Sequence, residues 1–235
     1  MMNVKWDLGG FNVYLDSKYS NLYEVEKDIN ILCGSSNFSE LGEEDWFLIN
    51  KDTRCLEFLL LSIPASINEL DECCDVCIAD LKEISLDDFI GKNIYSFPMQ
   101  HNAFFSLEKN QLLVCSSLKS LFYKIRLTDY FYLLMDEKEC YGGFLLDNAT
   151  NHISSESDFF NNKGFNDCLV DMLSLCKQEA YDAMDKQEKQ YFEFLMTLEK
   201  KCLDIQERDC RVSHILKFVK NAKFTFYDID GCGLN

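Results

Sequence analysis

The sequence predicts an α+β protein: an antiparallel β-meander sheet with a long C-terminal helix or helical hairpin packed on or beside it. Three observations lead there. Residues 93–147 carry short apolar or aromatic runs parted by polar turns such as Glu108-Lys109-Asn110 and Asp136-Glu137-Lys138-Glu139, the pattern of an antiparallel meander. Residues 165–211 contain no Gly and no Pro, and their apolar positions recur at steps of three and four, which is helical spacing. Between these blocks, residues 148–164 are rich in Asn and Ser and aperiodic, so they read as a surface linker. The chain divides accordingly into a β-rich acidic domain (1–147), a linker (148–164) and a helical region (165–235) whose end returns a strand to the sheet.

Taken in order, Val4, Trp6 and Leu8 alternate before Gly9-Gly10, and Phe11, Val13 and Leu15 alternate after it. Two such runs around a Gly pair make a β-hairpin. Leu22, Val25, Ile29 and Leu32 are spaced as a short helix over Ser17–Ile31. Trp46–Asn50 and Cys55–Ile63 read as paired strands, the second apolar on both faces and therefore central, and Pro64 ends it. Alternation of Val76 and Ile78 within Asp75–Ile84 suggests a strand, and Ser85 with Asp88 suggests a helix start. The meander strands follow. As one rod, residues 165–211 would be roughly 65–70 Å long, so a break near Asp185–Gln190 is the equal alternative. Lys223–Ile229 reads as the final strand.

Bulk properties narrow the function. At 235 residues and 47% apolar composition, the chain has enough material for a sizeable core. No apolar run reaches the roughly 18–20 residues that span a bilayer, and the N-terminus lacks an apolar stretch of leader length, so a cytoplasmic, soluble protein is expected. The twelve cysteines are scattered, mostly within apolar segments, where a thiol behaves as a small hydrophobe; reduced thiols are the expectation. The formal charge of −17 repels phosphates and anionic lipid, which disfavours nucleic-acid and membrane partners. The same charge attracts a basic protein. Residues 165–211 hold eleven acids and seven bases, which leaves −14 on residues 1–164.

Two concentrated acidic patches stand out. One is Glu43-Glu44-Asp45 beside Trp46; the other contributes Glu69, Asp71, Glu72, Asp75, Asp80, Glu83, Asp87 and Asp88. The plainer reading is of solvated faces, since charge runs usually solvate. The functional reading is an anionic docking surface with Trp46, Phe89 and Tyr95 as aromatic anchors.

No motif specifies chemistry. Cys74-Asp75-Val76-Cys77 lacks the second ligand pair of a zinc site, and its acidic neighbours oppose a thiolate. Hairpin topology brings Cys115 near His101, with Asn102 as orienter, and Cys74 is the other thiol candidate to act with His101; a core role for Cys115 is the plainer alternative. His152 reads as a solvated linker residue and His214 as a cap or packing residue. Asp228-Ile229-Asp230-Gly231 departs from a calcium-loop pattern in its Gly position and reads as a turn. No metalloprotease, nucleophile-elbow, P-loop or dinucleotide fingerprint occurs, so no cofactor and no metal is expected.

The expectation is a non-catalytic acidic binding protein that neutralises a basic partner. In bulk properties alone the chain resembles bacterial immunity proteins, which inhibit cationic, nuclease-like toxin domains. The alternatives are a cysteine-dependent hydrolase and a homodimeric adaptor joined through residues 165–211.

Overall fold

The structure, a computed structural model, describes residues 3–16, 27, 44–49, 52, 56–69, 78–80, 94–117, 122–138, 140–153 and 162–229. The helix expected over Ser17–Ile31 (Lys27 apart, which is helical), the Ser85 helix start and Cys74-Cys77 lie outside them.

The alternating N-terminal runs form the expected hairpin, β1 (Asn3–Asp7) and β2 (Asn12–Asp16). The Asp7 carboxylate accepts the Gly9 N–H at 2.9 Å, and Phe11 takes a left-handed φ of 49°. The next two strands pair antiparallel as expected, β3 (Glu44–Ile49) on β4 (Leu56–Ser62). With β7 (Ile94–Pro98) they complete a five-stranded antiparallel sheet in the order β1-β2-β4-β3-β7. The strand called central, β4, lies in its middle.

The remaining strands build a second sheet of seven: β5 (Ile67–Glu69), β6 (Ile78–Asp80), β8 (Asn102–Ser106), β9 (Gln111–Cys115), β10 (Phe122–Arg126), β11 (Phe131–Met135) and β12 (Tyr141–Asp147). Its order is β5-β8-β9-β12-β11-β10-β6. The meander reading needs correction in its connectivity. Strand β7 leaves for the first sheet, β12 folds back between β9 and β11, and both borders carry parallel strands, β5 on β8 and β6 on β10. Runs of similar length and apolarity announce strands; they do not encode which strand each one meets.

Side-chain alternation splits the seven-stranded sheet cleanly. Phe105, Leu112, Val114, Ile125, Phe131 and Leu133 face the main core, which is shared with the first sheet and the helices. Phe104, Leu113, Cys115, Phe122, Leu134 and Leu145 form a smaller cluster on the other face. Gly142 and Gly143 interrupt the alternation in β12. The register slips there, with Leu134 opposite Gly143 but Met135 opposite Tyr141. The extra residue is a bulge. It puts Tyr141 on the same side as Phe144 and Leu146, although Phe144 is an odd number of positions, three, further along the strand.

The described residues of the helical region form four helices: α1 (Lys163–Leu175), α2 (Gln178–Asp185), α3 (Lys189–Ile205) and α4 (Val212–Tyr227). The Asn162 side chain caps α1, accepting from the N–H groups of Gly164 and Phe165. The break expected at Asp185–Gln190 falls between α2 and α3, with Gln187 at φ 56°. No apolar residue occurs between Met184 and Tyr191, so the buried stripe lapses and packing no longer supports the helix.

Two expectations fail in this half. Lys223–Ile229 forms no returning strand; Lys223–Tyr227 is the last part of α4, closed by Asp228 in the left-handed conformation. Val212, Ile215, Phe218, Val219 and Ala222 are buried at helical steps, and propagating an established helix is easier than starting a new element. The linker reading of 148–164 fails at its start, where Ala149–His152 make a 3-10 turn. Ala149, Thr150 and Ile153 are buried, and the Ala149 and Thr150 N–H groups donate to the Asn110 carbonyl and side-chain oxygens.

Candidate functional site

Among the described residues, the acids singled out from the sequence do not share one face. Alternation along β3 sends Glu44 and Trp46 one way and Asp45 and Phe47 the other, and Phe47 belongs to the core. Asp45 is therefore wholly buried, which removes it from any docking surface. Trp46 is a second correction, being only 7% exposed. Glu44 is half-buried at the start of β3. Glu69 is exposed on β5, and Asp80 ends β6 at the opposite border of the sheet. Glu43, Asp71, Glu72, Asp75, Glu83, Asp87, Asp88 and Phe89 lie outside the described residues.

Asp45 instead joins the two sheets. Its carboxylate accepts the Ser62 N–H at 2.7 Å from β4 and the Tyr141 hydroxyl at 2.7 Å from β12. Phe47 and Phe97 stand against the Tyr141 ring, with centroids 5.6 and 5.1 Å away. Burial pushes the Asp45 carboxyl up to about 7, against the two hydrogen bonds that favour its charged form. Burial and the adjacent carboxylate raise the Tyr141 hydroxyl well above its usual value. No substrate-sized opening is needed to explain this pair; it is an inter-sheet latch.

A second buried polar centre ties the helices to the 3-10 turn that follows β12. Arg211, 1% exposed, donates from Nε and Nη2 to the two Asp209 carboxylate oxygens at 2.9 and 2.6 Å. Its Nη1 donates to the Thr150 carbonyl at 3.2 Å. The guanidinium lies 4.0 Å from the Phe165 ring centroid, and Asn162 donates to Asp209. Sequence reading missed this centre because Asp209 and Arg211 look like ordinary surface charges in a polar turn.

The cysteine–histidine pairing through Cys115 finds no support in its surroundings, and Cys74 lies outside the described residues. Cys115 is fully buried and its thiol is pushed up to about 11 by that burial. Asn102 pairs with Cys115 in register, but its amide donates to the Cys115 and Ser116 carbonyls at 3.2 and 2.9 Å. His101 is exposed. His152, read as solvated, is half-buried: Nδ1 lies 3.2 Å from the Val4 carbonyl, Nε2 is shielded, and burial lowers its affinity for a proton. His214 is half-buried on α4, its proton affinity likewise lowered by burial. No set of three or more His, Cys, Asp or Glu side chains placed to hold a metal occurs among the described residues. No described helix is long and apolar enough to cross a membrane.

A cleft of about 170 Å³ opens where β5 and β8 meet α1. Ile67, Phe105 and Leu173 form its buried floor. Leu107 and Val170, 38% and 44% exposed, flank it, and Glu69 and Lys177 bring opposite charges to the rim. Of the acids singled out from the sequence, Glu69 lines this cleft. An apolar floor with a few polar groups around it suits an anchoring side chain. Compared with family models, with known proteins and with solved structures, the chain matches none.

Proposed function

We propose that the chain is a non-catalytic acidic binding protein that neutralises a basic protein partner, most concretely a bacterial immunity protein that occludes a cationic, nuclease-like toxin domain. The observation that carries this reading is Glu69 at the rim of an apolar cleft, on the sheet-forming part of a chain whose residues 1–164 hold −14 of the charge. The two features do different work. Negative potential speeds encounter with a cationic surface, while an anchor seated in the cleft sets how long the complex lasts. Completing the burial of Leu107 and Val170 contributes about 2 kcal/mol together, far below the roughly 8 kcal/mol of a micromolar complex. The remainder falls to partner anchors and to further carboxylates standing in for phosphate.

The test is capture of the basic partner from the native host on the immobilised full-length protein, followed by association kinetics at low and high ionic strength. Association should slow steeply with salt. Glu69→Lys should slow it further, and Val170→Asp should shorten the residence time. A captured protein that is not basic, or an association rate indifferent to salt, overturns the reading.

A second reading, a homodimer through the helical region, draws support from Met196 and Leu203, seven residues apart on one face of α3 and 46% and 45% exposed. Sedimentation across a concentration series tests it, with a constant monomer mass as the outcome against it.

A further inference from the structure

We propose that Cys168 and Cys202 form an oxidisable dithiol, a modification site at which a two-electron oxidant of the peroxide class closes a disulfide between α1 and α3. Cys168 lies on α1 and Cys202 on α3, 2% and 0% exposed. Their side chains hydrogen-bond to each other. The same two helices are bridged at the surface by Lys201, which donates to Asp171 at 2.7 Å. Asp171 follows Cys168 by three residues and Lys201 immediately precedes Cys202, so the ion pair holds the register that brings the sulfurs together. The Lys201 and Asp171 side chains are 51% and 26% exposed, so this edge of the α1–α3 contact lies at the surface.

The surroundings give the two thiols different roles. The Cys202 S–H donates to the Cys168 sulfur, which holds the Cys168 thiol below its usual value; burial and the carboxylates of Asp171 and Asp167 oppose this, and Lys201 assists it. Cys202 is pushed up in return. Cys168 is therefore the nucleophile, since the thiolate is the reactive form. Its sulfur attacks one peroxide oxygen, the O–O bond breaks, and the departing hydroxide takes up the Cys168 proton as water. The Cys202 sulfur then attacks the sulfenic acid, the S–O bond breaks, and the second hydroxide leaves with the Cys202 proton as water. Two thiols lose two electrons and two protons, and one peroxide becomes two waters. Two other buried thiols lack this arrangement: Cys176 donates to the Met172 carbonyl and is pushed up to about 12, and Cys115 is pushed up to about 11.

The test treats the reduced full-length protein with hydrogen peroxide, blocks remaining thiols by alkylation and maps tryptic peptides. A bond joining peptide 164–177 to peptide 202–208, placed at Cys168 by fragmentation and lost on treatment with dithiothreitol, is the expected result. Cys202→Ser should lose the cross-link and leave Cys168 as a trappable sulfenic acid. The mapping of the wild-type protein decides the matter even where a variant folds poorly. Recovery of both thiols alkylated at a dose that oxidises exposed Cys140, or sulfinic acid at Cys168 with no bond to Cys202, overturns the proposal.

Discussion

The hydroxyl of Tyr141 reaches the carboxylate of Asp45 at 2.7 Å across 96 residues of sequence, and the contact joins the two sheets through the core. A carboxyl that titrates at about 7 when folded and near 4 when unfolded makes stability depend on pH. Between those values the folded chain holds a proton that the unfolded chain has released. The contribution is therefore full below about pH 4, falls as pH rises, and levels off above about 7. Asp45→Asn removes the titration and should retain acceptor and donor groups for Ser62 and Tyr141. The stability of wild type relative to this variant should fall by about 2–3 kcal/mol between about pH 5 and pH 8. Urea denaturation of both proteins at the two pH values reads this difference, and parallel curves would refute it.

The Asp209–Arg211 pair is wholly enclosed, so removing one partner strands the other charge. Asp209→Ala should cost about 3–5 kcal/mol. Adding Arg211→Met should recover part of the loss, because the stranded guanidinium is then gone. Denaturant midpoints of the single and double variants give the comparison; a double variant weaker than the single one would mean the Phe165 and Thr150 contacts outweigh the charge.

Gly143 sits at φ 135°, and a Cβ there would lie 2.0 Å from the Val114 carbonyl oxygen of the neighbouring strand. Gly143→Ala should cost about 4 kcal/mol or more, in the range reserved for backbone obstruction. Thermal unfolding by circular dichroism checks it, and a midpoint within a few degrees of wild type would contradict the pairing of β9 with β12.

Thiol reactivity separates the binding reading from the hydrolase alternative. Cys140 is exposed, whereas Cys115 is buried with its thiol pushed up. Iodoacetamide at neutral pH should label Cys140 early and Cys115 only on unfolding, as peptide mapping over time would show. Rapid labelling of Cys115 in the folded protein would favour the hydrolase.

Much of the architecture was legible because it follows from periodicity. The β1–β2 hairpin, the β3–β4 pair and the helical content of 165–211 all come from local patterns. Strand order was not legible, since β12 inserting between β9 and β11 is set by packing across the sheet. Lys223–Tyr227 misled because Phe224 and Phe226 alternate as in a strand, while the helix begun at Val212 carries through them.

For the candidate site, one signal was present and unread. With Phe47 as a core residue, period two alone places Asp45 inside and Glu44 and Trp46 on the reverse face. The Gly142-Gly143 pair likewise marks a bulge, though not the aim it gives Tyr141. The Cys168–Cys202 contact needed the packing of α1 on α3, which spacing within either helix does not specify.

Strands β5 and β6 are neighbours in sequence and strangers in space. Each closes one margin of the seven-stranded sheet as a three-residue strand running parallel to its neighbour. Margins that short offer an incoming strand little backbone to pair with, so the sheet resists growing into a larger one.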